Sequence, residues 1–157
     1  MKKLISLFLV FILAFSLASC SKMPFNGEIE FHNISLTIPE RFIRDSTQSN
    51  DDLWIFERGG YSEYIIISRK DFTGDVKTAL DDYVAYMKEN SAESEIISFL
   101  DDDAVLSTYY MDNVYCQEIL FAYHNSFYAV ALRGGTQSDF AEITDTIRLR
   151  DISEVVL

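Results

Sequence analysis

The residues best suited to nucleophilic or metal chemistry are two cysteines and two histidines: Cys20, Cys116, His32 and His124. A thiol nucleophile needs a base within hydrogen-bond reach, and neither histidine lies in a motif that pairs it with Cys116. The apolar residues around Cys116 are typical of a buried small hydrophobe. Two histidines alone do not make a zinc site, because such sites use three or four ligands. These residues therefore predict neither a catalytic site nor a metal site.

Three consecutive acids, Asp101, Asp102 and Asp103, form the densest charge cluster. Carboxylate oxygens are the ligands that Ca²⁺ prefers, but the spacing of a calcium-binding loop is absent. The alternative is a solvated turn between two strands, and the sequence leaves open whether the three acids bind a cation.

A second cluster, Arg133-Gly134-Gly135, precedes a predicted helix. It could hold an anion through backbone N–H groups, although a strand-to-helix turn uses glycine for its backbone freedom as well. The chain has no Gly-x-Ser-x-Gly, His-Glu-x-x-His or phosphate-loop motif. No cofactor is predicted, and the chain is not predicted to be an enzyme.

The N-terminus is predicted to direct export. Lys2 and Lys3 precede an uncharged run at 4–17, and two small residues and Cys20 follow. This is the layout of a secretory signal, and its apolar run of about 14 residues is shorter than the roughly 20 that a membrane-spanning helix needs. The last four residues, Leu-Ala-Ser-Cys, resemble the lipobox of bacterial lipoproteins. The resemblance implies cleavage before Cys20 and acylation of that cysteine with chains such as palmitate. A plain secretory signal and a retained anchor are the alternatives.

The predicted organisation is a signal peptide at 1–19, a lipidated tether at 20–27 and one domain at 28–157. The formal net charge is −12, which argues against nucleic acid as a partner because that affinity rests on Lys and Arg. An acidic domain is also repelled by an anionic bilayer, so acyl chains on Cys20 must provide the attachment to the membrane. The expected location is the extracytoplasmic face of the cell membrane, or the outer membrane if the source has one.

Hydrophobic periodicity predicts two helices. The first, at 75–90, has an apolar stripe at helical spacing and Asp75 as N-cap. The second, at 137–149, has Phe140, Ile143 and Ile147 as its stripe, with Thr136 and Asp139 as a capping pair. Alternating or continuous apolar runs bounded by turn residues predict strands at 28–32, 34–38, 53–58, 61–69, 95–100, 104–111, 114–123 and 127–133.

These elements predict an α+β domain with an antiparallel sheet of about six or seven strands between helices in an α/β/α sandwich. The opening at 34–42, an apolar strand followed by Pro, an acid and an aromatic residue, resembles that of the PsbP-like family. The closing segment at 127–149, an apolar strand, a glycine turn and a helix, is similar too. This family includes an extrinsic photosystem II subunit, a Ran-binding import factor and bacterial lipoproteins. The resemblance, over roughly residues 30–150, implies a binding or assembly module rather than an enzyme.

The chain also has nine tyrosines, which either pack in the core or line a binding face, since tyrosine combines a rigid ring with a polar tip. We therefore expect a lipid-anchored binding or assembly module of the cell envelope, with an envelope protein as one candidate partner. A structural envelope protein and an envelope enzyme are the alternatives. The first should have an aromatic-lined pocket, the second a flat polar surface, and the third a cleft with acids of strongly shifted pKa.

Overall fold

The computed structural model describes residues 22–24, 27–59 and 62–151. The predicted signal peptide and Cys20 lie outside the described residues. The strands are β1 (Lys22–Pro24), β2 (Gly27–Phe31), β3 (Ile34–Ile38), β4 (Ile43–Asp45), β5 (Leu53–Arg58), β6 (Glu63–Asp71), β7 (Glu93–Phe99), β8 (Asp102–Met111), β9 (Val114–Tyr123), β10 (Ser126–Arg133) and β11 (Arg148–Leu149). The helices are α1 (Val76–Glu89), between β6 and β7, and α2 (Gln137–Thr144), between β10 and β11.

The strands form two antiparallel sheets. The larger has eight strands in the order β1-β4-β5-β6-β10-β9-β8-β7, and the smaller has three in the order β11-β3-β2. The predicted α+β class and antiparallel pairing are therefore confirmed. The prediction of one sheet of six or seven strands is wrong, because β2 and β3 pair with each other and with β11 in a sheet of their own.

The main core lies between the large sheet, the small sheet and α2. Alternating residues of β6 and β10, such as Ile65, Ile67 and Val130, meet Leu36 of β3 and Ile143 of α2 there, all fully buried. The opposite face of the large sheet packs against α1 through a smaller cluster. The outer layer opposite α1 is thus a three-stranded sheet with a helix of eight residues, which differs from the predicted α/β/α sandwich.

The helix starts follow the predicted capping chemistry. The Asp75 side chain accepts from the Thr78 N–H, and Thr136 and Asp139 form the reciprocal capping box of α2. The second helix is shorter than predicted, since it ends at Thr144 and the chain turns into β11. Ile147 remains fully buried but lies beyond the helix.

Two strands lie where the sequence predicts irregular chain. β4 falls between the predicted strands at 34–38 and 53–58, where no strand is predicted, and it is placed by pairing with β5. β1 falls within the range predicted as a tether and pairs with β4 at one edge of the large sheet. Within the described residues, no helix is long and apolar enough to cross a membrane.

Candidate functional site: a tyrosine-lined pocket with a buried carboxyl

A pocket of about 290 Å³ lies between the second half of α1 and the large sheet. Four of its lining residues are tyrosines: Tyr83, Tyr86, Tyr109 and Tyr110. Most of the others are apolar, including Leu53, Ile66, Met87, Ala92, Met111, Ala129 and Ala131. The volume is at the small end of the range typical of ligand sites.

Small side chains on the sheet leave this space open. Ala129 and Ala131 of β10 and Ser68 of β6 lie on the α1 side of the sheet, where each lines the pocket. Ile65, Ile66 and Ile67 are consecutive residues of β6, and their side chains alternate between the two faces of the sheet. Ile65 and Ile67 are fully buried in the main core, whereas Ile66 faces the pocket and is half-buried.

Glu118 of β9, the single acid among the described residues that line the pocket, lies at its inner wall and is 6% exposed. The Tyr83 hydroxyl donates to Oε1 of Glu118 at 2.5 Å, and the Tyr109 hydroxyl donates to the same carboxyl. Burial raises the pKa of Glu118, and the two hydrogen bonds oppose that shift only in part. Burial and the Glu118 charge also raise the pKa values of Tyr83 and Tyr109, so both tyrosines stay protonated donors.

Arg133 of β10 brings a positive charge to the pocket. Its guanidinium lies 3.5 Å from a carboxylate oxygen of Asp112 and 6.0 Å from the ring centroid of Tyr64. Its Nε atom is buried without a hydrogen-bond partner in the described part of the chain. The pocket is therefore apolar in its walls, with a carboxyl inside and a guanidinium on its lining.

Cys116 lines the same pocket and is buried, as the sequence predicts. Burial raises the pKa of its thiol to about 11, so the thiol is neutral at pH 7 and a poor nucleophile. His124 lies at the other end of β9, eight residues away, which corresponds to about 26 Å at the rise of a strand. The structure does not bring the two residues together.

The histidines are surface residues with acidic or carbonyl neighbours. His32 Nε2 lies 2.7 Å from the Asp51 carbonyl oxygen and 3.2 Å from an oxygen of Asp52. His124 Nε2 lies 3.8 Å from an oxygen of Asp151. No group of three or more His, Cys, Asp or Glu residues in the described ranges is arranged to hold a metal ion.

The acid cluster lines a wide, open depression of about 840 Å³ at the N-terminal end of α1, away from the tyrosine-lined pocket. Asp101 has a positive φ of 69° and forms the turn, while Asp102 and Asp103 belong to β8. The three acids are exposed.

Gly134 has a structural reason to be glycine. Its φ is +82°, and a Cβ there would lie 2.4 Å from the Ser62 carbonyl oxygen. Its N–H donates to the Tyr115 carbonyl at 2.8 Å, so this N–H is not free to bind an anion.

Glu118 is not among the candidate residues that the sequence predicts, although its position in the strand could have indicated it. It is an acid within an apolar strand whose neighbours from Cys116 to Phe121 are all buried, and a buried carboxyl is a strong candidate for a functional role.

The tyrosines divide between packing and the pocket. Tyr128 is fully buried in the main core, whereas Tyr110 is 74% exposed and stacks edge-on against Tyr115 at 5.6 Å.

Comparison with protein-family models and with curated proteins finds no match. Several solved structures are similar in fold, among them the following two. A crystal structure from Bacteroides thetaiotaomicron VPI-5482 matches with a TM-score of 0.58 at 15% identity, over 84% of this chain and 51% of that one, so this chain spans about half of its length. The solution structure of cyanobacterial PsbP (CyanoP) from Synechocystis sp. PCC 6803 matches with a TM-score of 0.56 at 11% identity, over 85% and 98%. At these identities the similarity shows the fold alone, and that fold is PsbP-like.

Proposed function

We propose that this chain is a lipid-anchored binding module of the cell envelope, without catalytic activity, that holds an apolar small molecule in the tyrosine-lined pocket. The observation that carries the proposal is the pocket itself: an apolar cavity of about 290 Å³ with four tyrosines in its lining. Ligand sites combine apolar walls with a few placed polar groups, and Glu118 and Arg133 are such groups here.

The anchor in this proposal is an acylated Cys20 at the extracytoplasmic face of the membrane. The lipobox-like Leu-Ala-Ser-Cys sequence supports it. Because an anionic bilayer repels a domain with a net charge of −12, the acyl chains would have to provide the whole attachment. Only Ser21 stands between Cys20 and the start of β1 at Lys22, so the two residue steps span at most about 7 Å in extended chain. An acylated Cys20 would thus hold the β1 edge of the large sheet close to the bilayer, and a protein partner at the envelope would meet the domain there.

An enzyme is the second candidate, because a buried carboxyl of raised pKa in a cleft is a feature of acid–base catalysts. Against an enzyme, the Glu118 carboxyl accepts hydrogen bonds from two tyrosine hydroxyls, those of Tyr83 and Tyr109, which stay protonated. The neighbouring thiol, Cys116, has a pKa of about 11 and is not activated. A purely structural role leaves the pocket without a purpose.

Binding of a neutral fluorescent probe, 1-naphthalenemethanol, tests the proposal. The wild-type chain should bind it, with a change in probe fluorescence that saturates. Ala131→Phe places a ring in the pocket and should abolish binding. Ala122→Phe is the matched control, because Ala122 lies on the same face of the sheet but lines the open depression instead. Thermal unfolding of both variants must show that they fold. Absence of probe binding to the folded wild type, or equal binding to folded Ala131→Phe, would refute the pocket as the ligand site.

A further inference from the structure

We propose that the tyrosine-lined pocket selects ligands that carry a protonated amine on an apolar body, with the Glu118 carboxylate as the counter-ion. This inference rests on the proposed function and names the ligand class of the same site. It comes from the mismatch between a carboxyl placed inside the protein and the neutral groups that surround it.

The Glu118 carboxyl has polar partners but no cationic one. Its donors are the hydroxyls of Tyr83 and Tyr109, and no lysine or arginine of the described residues forms an ion pair with it. An ionised carboxylate can accept about four hydrogen bonds, so acceptor capacity remains after the two tyrosines. A buried charge without an opposite charge is costly, and a cation supplied by a ligand would remove that cost.

The charged and titratable groups that line the pocket leave Glu118 as the acceptor for such a cation. Of the lining residues in the described part of the chain, it is the only acid. The others are Tyr83 and Tyr86 from α1, Tyr109 and Tyr110 from β8, Cys116 from β9 and Arg133 from β10. The guanidinium of Arg133 lies beside Asp112, so its charge is balanced outside the pocket, and the Cys116 thiol is neutral.

The walls suit the rest of the ligand. Tyrosine rings attract a cation through their faces, so the tyrosines support an ammonium group near Glu118. Ile66, Leu53 and the two alanines of β10 offer an apolar surface beyond it. A primary amine on a small hydrophobic body would satisfy both parts of the pocket at once.

Two isosteric probes test the inference: 1-naphthylmethylamine, which is protonated at pH 7, and 1-naphthalenemethanol, which is neutral. Their dissociation constants are measured by fluorescence titration at pH 7 with the full chain. Wild type should bind the amine at least about tenfold more tightly than the alcohol, because hydrogen bonds and ion pairs to charged groups are the strong ones. In Glu118→Gln this ratio should fall to about one, with binding of the alcohol unchanged.

Glu89→Gln is the matched control for loss of one negative charge, since Glu89 is exposed at the end of α1, and it should keep the wild-type ratio. Equal binding of amine and alcohol to wild type would overturn the amine preference while leaving the proposed function intact. An amine preference that survives in Glu118→Gln would overturn the role of Glu118. Binding of neither probe would overturn the inference and the proposed function together.

Discussion

The Tyr83 hydroxyl reaches from α1 to the carboxyl of Glu118 on β9, and the 2.5 Å hydrogen bond between them joins residues 35 positions apart. Glu118 is buried and Tyr83 is half-buried, and the contact lies at the wall of the pocket. The bond therefore fixes the helix on the sheet, and it partly offsets the rise that burial causes in the pKa of Glu118.

Tyr83→Phe should lower the free energy of unfolding by about 1–3 kcal/mol, the cost of removing a hydrogen bond from a buried polar group. Chemical denaturation measures the change. Tyr86→Phe removes a hydroxyl from the same helix at a residue for which no such bond to Glu118 exists, and it should cost less than about 0.5 kcal/mol. The double variant Tyr83→Phe/Glu118→Gln should be non-additive; simple additivity would show that the two residues are not coupled.

Glu118 should make stability depend on pH. Its pKa in the folded protein is raised above 4.5, so below pH 4.5 the carboxyl is protonated in both states and costs nothing. As pH rises through the folded pKa, the unfolded chain is already ionised while the folded one must ionise inside the protein, so stability is lost. Glu118→Gln should remove that loss.

The measurement is denaturant unfolding of wild type and Glu118→Gln from pH 4 to 8. The stability of the variant relative to wild type should rise with pH above 4.5 and then level off. A pH-independent difference would contradict the raised pKa, and Glu89→Gln provides the exposed control.

Gly134→Ala should destabilise the fold by at least about 1–2 kcal/mol, the cost of the left-handed region for a residue with a Cβ. The φ of +82° and the 2.4 Å approach to the Ser62 carbonyl both oppose a side chain. Gly59→Ala is the matched control, since a Cβ there meets nothing within 4 Å. Equal unfolding midpoints for the two variants would argue against the turn geometry.

Thr136→Ala should cost about 1 kcal/mol, the usual effect of losing an N-cap side chain. Its hydroxyl accepts from the Asp139 N–H at 3.2 Å and donates to the Asp139 carboxylate at 2.6 Å. Ser138→Ala changes an exposed residue of the same turn and should be nearly neutral. Thermal unfolding compares the two variants. If Thr136→Ala left the stability unchanged, the capping box would not contribute to the stability of α2.

Cys20→Ala should release the chain from the membrane fraction if Cys20 is the acylated residue. Intact mass of the detergent-extracted wild type should show a chain that begins at Cys20 with added acyl mass. Cys116→Ala changes the other cysteine and should leave membrane retention unaltered. A mature wild-type chain that begins at Cys20 without acyl mass would exclude lipidation.

Local patterns predicted the elements whose hydrophobic period is regular. The start and end of α1, the Asp75 cap and strands β5 and β9 follow from side chains near in sequence, because periodicity and capping are local properties. The layout that resembles the PsbP-like family extended this to the fold.

The short strands and the end of α2 needed the tertiary structure. β4 has a polar sequence and forms because it pairs with β5. Ile147 continues the apolar stripe of α2 in the sequence, but it is buried in the segment between the end of that helix and β11. Long-range pairing decides such segments, since their own propensities are weak.

The amino-acid sequence by itself determined the α+β class, the main helix and the burial of Cys116. Only the tertiary structure decided the site. Glu118, Tyr83 and Tyr109 come from three elements, and the pocket arises because α1 stands over a part of the sheet where alanines leave space. A pocket is a property of the gap between elements, so no pattern within any one of them could predict it.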